Sequence, residues 1–210
     1  NWVKFMMIDQ SINYKYQSIL EDVHLSCVKY GRNISSIKLI VVTKSQPVHK
    51  IQEVIYAGAR YLGENYPEET VEKKNSMLNL TEDLEWHMIG HLQSRKTQIV
   101  IDHFNMLQSL DSIKLANRLD QQLKKSGKKM SVLLQFNVGG EESKFGWDAS
   151  RREQWPILLP IVNEVANLQT LKIVGLMTMP PLVDDEFESR KNFKQLRDLG
   201  EFLQSNIPEL

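Results

Sequence analysis

Cysteine is almost absent from this 210-residue chain: Cys27 stands alone, so no internal disulfide forms. Its place in an amphipathic stretch reads as a small buried hydrophobe in a reducing compartment, in preference to a redox centre. An excess of one charge is missing too, because 26 lysines and arginines balance 26 aspartates and glutamates. That balance leaves no global field to draw in nucleic acid, an anionic membrane or a strongly acidic partner. No apolar run approaches the roughly 20 residues that a membrane-spanning helix needs, and the opening "NWVKFMMIDQ" lacks the architecture of a secretory signal. A cytoplasmic protein is expected, with neither membrane nor nucleic acid among its partners. Because the chain opens on Asn1, not on methionine, these residues exclude no segment ahead of them.

Several motifs are also lacking. No GxGxxG follows the first strand, which argues against a dinucleotide fold, and no glycine-rich loop ending in Lys-Ser/Thr is present to cradle a nucleotide phosphate. Aromatics do not interleave with a basic groove as single-stranded nucleic acid requires. The strongest basic cluster, "KKSGKK" at Lys124 to Lys129, falls at a helix-to-strand turn and reads as solvated. His87 and His91 stand four apart, but Gly90 and a strand exit spoil the helical geometry that would converge them on zinc.

What is present is alternation. Ile12, Tyr16, Ile19, Leu20, Val23 and Cys27 mark a long leading helix that ends at Gly31. Six strand–helix units follow, beginning with the β-branched run "IKLIVVTK" and ending with a helix over Asp184 to Ser205. Asp111 is the expected N-cap and Gly127 the terminator of the helix between them. Pro156 and Pro160 predict an irregular or late start to the helix that contains them. With 41% hydrophobic residues and no composition break, one α/β domain with parallel strands, each buried on both faces, accounts for the pattern.

In such folds the strand exits form the functional rim. Lys44 in "VVTKSQP" sits at the first exit. Glu64 and Asn65 sit at the second, His87 to Gly90 at the third, Gln108 and Ser109 at the fourth, Asn137 at the fifth, and Gly175 to Met177 at the sixth. Two readings of Lys44 stand side by side: a lysine whose stem covers apolar surface while its amine reaches water, or an amine desolvated enough to condense with an aldehyde. Asn65 is open to a ligand and equally able to cap the next helix, with Glu68 completing a capping pattern. Lys144, in the polar loop "NVGGEESKFGW", is placed to reach a phosphate or substrate, or lies in a surface loop anchored by aromatics. "GLMTMPP" reads as core lining and a stiff exit that nonetheless lies on the rim.

Taken in order, "VVTKSQP", "GARYLGENYPEE", "LEWHMIGHLQSRK", "QFNVGGEESKFGW" and "GLMTMPP" resemble the pyridoxal phosphate homeostasis protein family, which is related to the N-terminal barrel domain of alanine racemase. The resemblance runs from the first strand through the sixth. It implies a (β/α)8 TIM-type barrel of the alanine racemase N-terminal domain type, spanning residues 1–210 as one domain that binds pyridoxal 5'-phosphate (PLP). Lys44 matches the family's Schiff-base lysine, Asn65 its "GEN" motif, and His87 with Gly90 its "WHxIGxLQ" motif. With Met177 at the sixth exit, Lys44, Asn65 and His87 form the implied cofactor-binding set, and no catalytic or metal-binding residue is implied. The implied role is PLP (vitamin B6) homeostasis without established catalysis, with PLP-dependent apoenzymes as recipients and a monomeric full-length protein. The alternative is a PLP-dependent amino-acid racemase, but racemases of that class use a second domain and a second base for which this chain has no room.

Two departures accompany the likeness. Arg95 stands where the family usually has Asn in "LQxNK", adding charge and reach. Relatives also continue with a "SMGMS" strand exit and a "VRIG" segment that help to hold the cofactor phosphate, whereas this chain ends at Leu210. A closed barrel needs eight strands and typically about 250 residues, so the last two strands are expected to be missing. The expected consequences are exposed sheet edges, self-association and a weakened grip on the phosphate.

Overall fold

Ser11 starts the first helix, α1 (Ile12–Lys29), by accepting a hydrogen bond from the Tyr14 N–H at 3.1 Å, which satisfies one of the orphan donors of a helix start. This is a computed structural model in which residues 11–80, 83–180 and 186–210 are described. The chain divides into two units, Asn1–Glu64 with Glu69–Glu85, and Asn65–Glu68 with Trp86–Leu210.

In the first unit, α1 is followed by β1 (Ile40–Val42), α2 (Val48–Tyr56) and β2 (Tyr61–Glu64), and most of α3 (Pro67–Ser76) also belongs to it. β1 and β2 pair in parallel, with Ile40 opposite Tyr61 and Val42 opposite Gly63. Parallel neighbours require a crossover, and α2 supplies it. Tyr16, Val54 and Ala59 form the core, with Ile12, Leu20, Leu39 and Val41 packed against it. Gln17 Nε2 donates to the Ala57 carbonyl at 2.7 Å, tying α1 to the end of α2. The buried stripe of α1 follows residues 12, 16, 20, 23 and 27, so Cys27 is buried as expected. Ile19, expected on that stripe, lies one position off it and is 48% exposed. Val42 is also 48% exposed, so β1 is not covered on both faces: alternate side chains part, and Val41 alone reaches the α1–α2 core.

The second unit carries β3 (Glu85–Met88) from Trp86 onward, α4 (Thr97–His103), β4 (Met106–Leu110), α5 (Ile113–Ser126) and β5 (Met130–Asn137). It continues with β6 (Trp147–Asp148), α6 (Trp155–Ala166), β7 (Leu171–Met177) and α7 (Glu186–Asn206). β4 lies between β3 and β5, β7 pairs with β5 on its other side, and every one of these pairings is parallel. The two-residue β6, which no sequence period announces, pairs with Phe136 and Asn137. Trp86, Met88, Leu107, Leu119, Val132 and Phe136 are wholly enclosed.

Local signals decide where these elements begin and end. Ser112, not Asp111, caps α5 by accepting from the Leu115 N–H at 3.3 Å. Asp111 is left to bind His91. Gly127 ends α5 at φ +66°, a left-handed conformation that costs glycine nothing. Lys124 and Lys128 pair with Asp120 and Asp102, so the basic turn is partly neutralised. A 3-10 turn at Arg152–Gln154 precedes α6, which holds Pro156 in its first turn and Pro160 in its interior. The predicted α7 start at Asp184 lies outside the described residues.

Asp120 fixes the approach to β7. Its buried carboxylate accepts from Thr170 Oγ1 at 2.8 Å and from Lys124 Nζ at 2.7 Å, while the Thr170 carbonyl accepts from the Met130 N–H at 2.9 Å. Burial pushes the Asp120 carboxyl up. The hydrogen bonds from Lys124 and Thr170, with the Lys124 charge, outweigh it and hold the pKa below its ordinary value. A depressed carboxylate contributes stability that is present above the unfolded-state pKa and lost as pH falls through the folded-state value. Asp120→Asn is therefore expected to lower the melting temperature at neutral pH, with the gap from the parent closing as pH falls below the carboxylate range; melts across pH measure it.

Candidate functional site

The exit of β1 is braced from below. Thr43 extends the pairing with β2 through its N–H to the Gly63 carbonyl at 2.9 Å, and its hydroxyl donates to Glu64 Oε1 at 2.7 Å. Lys73, on α3, places Nζ 2.6 Å from the same Glu64 oxygen and 2.7 Å from the Thr43 carbonyl. Glu64 and Lys73 are 0% and 5% exposed, so this ion pair lies out of water. Lys44 follows immediately and is exposed, not desolvated. Among the described residues its amine makes no ion pair or hydrogen bond. Ser45 then turns at φ +56°, uncommon for a residue with a Cβ, and its N–H donates to Glu69 Oε2 at 3.3 Å.

In the second unit, Asn65 is seated on Gly90. A Cβ at Gly90 would come within 2.8 Å of the Asn65 Cα, Cβ and Cγ atoms, so only glycine permits the approach. The Gly90 carbonyl accepts from the buried Ser109 hydroxyl at 2.6 Å. His87, 2% exposed on β3, has its Nδ1 2.7 Å from Gln108 Nε2. With the amide donating, the neutral imidazole carries its proton on Nε2. Glu68 binds Lys96 at 2.8 Å. His91 turns to Asp111, Nδ1 to Oδ2 2.7 Å, and stacks on Phe145 with ring centroids 3.9 Å apart. The two histidines therefore have separate partners. Among the described residues no three His, Cys, Asp or Glu side chains gather as a metal site would require.

Met177 ends β7 opposite Gln135 of β5 and is half-buried. Gln135 donates to the Phe145 carbonyl at 3.1 Å, and Gly146, at φ +114°, lies so close to β5 that a Cβ would meet the Gln135 carbonyl oxygen at 2.9 Å. Asn137 holds the loop from the other side, donating to the Glu141 carbonyl at 2.7 Å and accepting from the Gly140 N–H at 3.0 Å. The "NVGGEESKFGW" loop is thus tied back to β5 at several points and does not hang free.

The alanine racemase N-terminal domain profile matches residues 29–209. The pyridoxal phosphate homeostasis protein of Haemophilus influenzae is 34% identical over 198 residues, covering 94% of this chain and 81% of that protein. This chain belongs to the pyridoxal phosphate homeostasis protein family. The Pasteurella multocida member is 35% identical over 204 residues, covering 97% of this chain and 83% of its own. Among solved structures, PipY of Synechococcus elongatus with PLP bound superposes with a TM-score of 0.74 at 31% identity, over 91% of this chain and 84% of PipY. Alanine racemase of Clostridium difficile, at 17% identity and a TM-score of 0.63 over 90% of this chain and 48% of its own, shares the fold. The α/β architecture with parallel strands is accordingly the TIM-barrel-like one of the alanine racemase N-terminal domain.

Against this family's motifs, each residue singled out by sequence stands at a strand exit: Lys44 after β1, Asn65 after β2, His87 within the end of β3 and Met177 at the end of β7. Within the second unit Asn65 meets Gly90, and His87 meets Gln108. Sequence reasoning missed Lys73 and Glu69 altogether. Their i,i+4 spacing on α3 and an acid closing the otherwise apolar β2 were the available signals. Gly90→Ala is expected to force Asn65 aside and to cost about 1–3 kcal/mol, read as a lower melting temperature with far-ultraviolet circular dichroism unchanged.

Proposed function

We propose that this chain binds pyridoxal 5'-phosphate through a covalent link to Lys44 and serves intracellular PLP homeostasis in the cytoplasm, without catalysing a reaction of its own. The observation that carries this reading is the primary amine of Lys44, exposed and uncommitted among the described residues, standing on a turn whose flanking residues are hydrogen-bonded to Glu64, Lys73 and Glu69. The residues present fit the group. Lys44 offers an exposed nucleophilic amine of the kind that condenses with an aldehyde. When bound, PLP supplies an aldehyde that an amine captures reversibly. The family's solved member PipY, with PLP bound, supports the assignment.

Within this reading Lys44 holds the cofactor, while Asn65, His87 and Met177 are assigned as further cofactor contacts because they occupy the family's motif positions at strand exits. Release from an exposed lysine suits delivery to PLP-dependent apoenzymes, which we propose as recipients, with the full-length protein working as a monomer. Adding PLP to the protein should give a visible absorbance band that sodium borohydride reduction fixes onto the Lys44 peptide. Lys44→Ala should lose both band and adduct, and full retention of them would overturn the assignment. Deuterium exchange at the α-carbon of amino acids should run no faster than with free PLP; faster exchange would favour a racemase.

A further inference from the structure

Lys44 itself is exposed and without a partner among the described residues, yet both of its neighbours are held by hydrogen bonds. The Thr43 N–H, carbonyl and hydroxyl are all engaged, by Gly63, by Lys73 and Gln46, and by Glu64. Ser45 is kept in the left-handed region with its N–H on Glu69 Oε2, and the same Glu69 oxygen lies 3.5 Å from Lys73 Nζ. One ammonium group therefore reaches both sides of Lys44: the carbonyl before it directly, and the N–H after it through Glu69.

We infer that Lys73, with Glu64 and Glu69, is a positioning device for Lys44 that fixes where its backbone stands and the direction in which its side chain leaves the turn. This rests on the proposed role of Lys44 in holding PLP. None of the three residues acts on the cofactor's atoms. A buried ion pair is by itself a poor source of stability, because the desolvation of two charges offsets their attraction. Among the described residues the arrangement also leaves Glu64 Oε2 buried with no donor, a further cost. Such a pair makes more sense as a device for placement: Lys73 is a donor that cannot be met by water, aimed at one particular carbonyl. A left-handed serine needs an equally specific hold, since only glycine adopts that conformation freely. A flexible four-carbon amine benefits most when its point of attachment does not wander, because the remaining rotamers alone must then be ordered on capture.

The test compares covalent PLP attachment at Lys44 in the parent and in folded variants. Glu69 is one-third exposed, so Glu69→Ala is expected to fold, to free the Ser45 N–H and to slow attachment several-fold. Glu69→Gln, which keeps an acceptor for that N–H, should recover most of the rate. The near-isosteric double variant Glu64→Gln/Lys73→Met, which buries no lone charge, should slow attachment at least tenfold and shift its pH dependence. A purely stabilising role would lower the melting temperature without moving either readout in the folded protein. Folded variants that attach PLP at the parent's rate would overturn the inference, and if the double variant does not fold, the Glu69 pair decides. A parent without any Lys44-dependent band overturns the cofactor reading and this inference with it; a parent that shows the band beside unaffected variants overturns the positioning role alone.

Discussion

A lysine and a glutamate taken out of water must find one another, and every other donor and acceptor nearby must then fit around them. In this protein that constraint falls on Lys73 and Glu64. Removing one partner of such a pair typically costs about 3–5 kcal/mol, because the other charge is left buried alone. The strand exit at Thr43, the left-handed turn at Ser45 and the direction in which the chain presents Lys44 all depend on the pair's geometry. The Lys44 side chain itself is exposed, while the residue before it is buried and hydrogen-bonded to the pair.

The second unit applies the same logic with neutral groups. Gly90 is the point at which backbone must come close to backbone, and it lets Asn65 lie against the β3 exit while Ser109 takes up the Gly90 carbonyl. His87 is buried, and Gln108 from the neighbouring strand holds its Nδ1. At the end of β5, Gln135, Asn137 and Gly146 bring a glycine-rich loop back onto the strand that it leaves. In the first two cases a residue at one strand exit is fixed by the next, and in the third a loop is fixed to its own strand, all at the carboxyl ends where parallel α/β folds place function.

Much of this was legible in the sequence. The β-branched runs, the glycine at Gly127 and the helical spacing of residues 12, 16, 20 and 27 mark elements that local physics prefers. The ordered motifs around Lys44, Asn65 and His87 were enough to point to the family. Where reading failed, the reason was a choice between adjacent, equally plausible residues. Ser112 rather than Asp111 caps α5, because Asp111 has a tertiary partner in His91. Ile19 looks apolar enough for the core but stands one position off the buried stripe, and Val42 lies on the strand face that the α1–α2 core does not cover.

The sequence by itself determined the alternation of strands and helices, the residues that close each strand, and the kinship that makes Lys44 a candidate anchor, because propensity and motif order are properties of neighbours along the chain. Only the tertiary structure decided that Lys44 is exposed, that its flanking residues are pinned, and that Lys73 pins them. Those facts depend on a carboxylate at the end of β2 meeting an ammonium on α3 beneath the exit of β1, and no pattern within any one of these segments encodes that meeting.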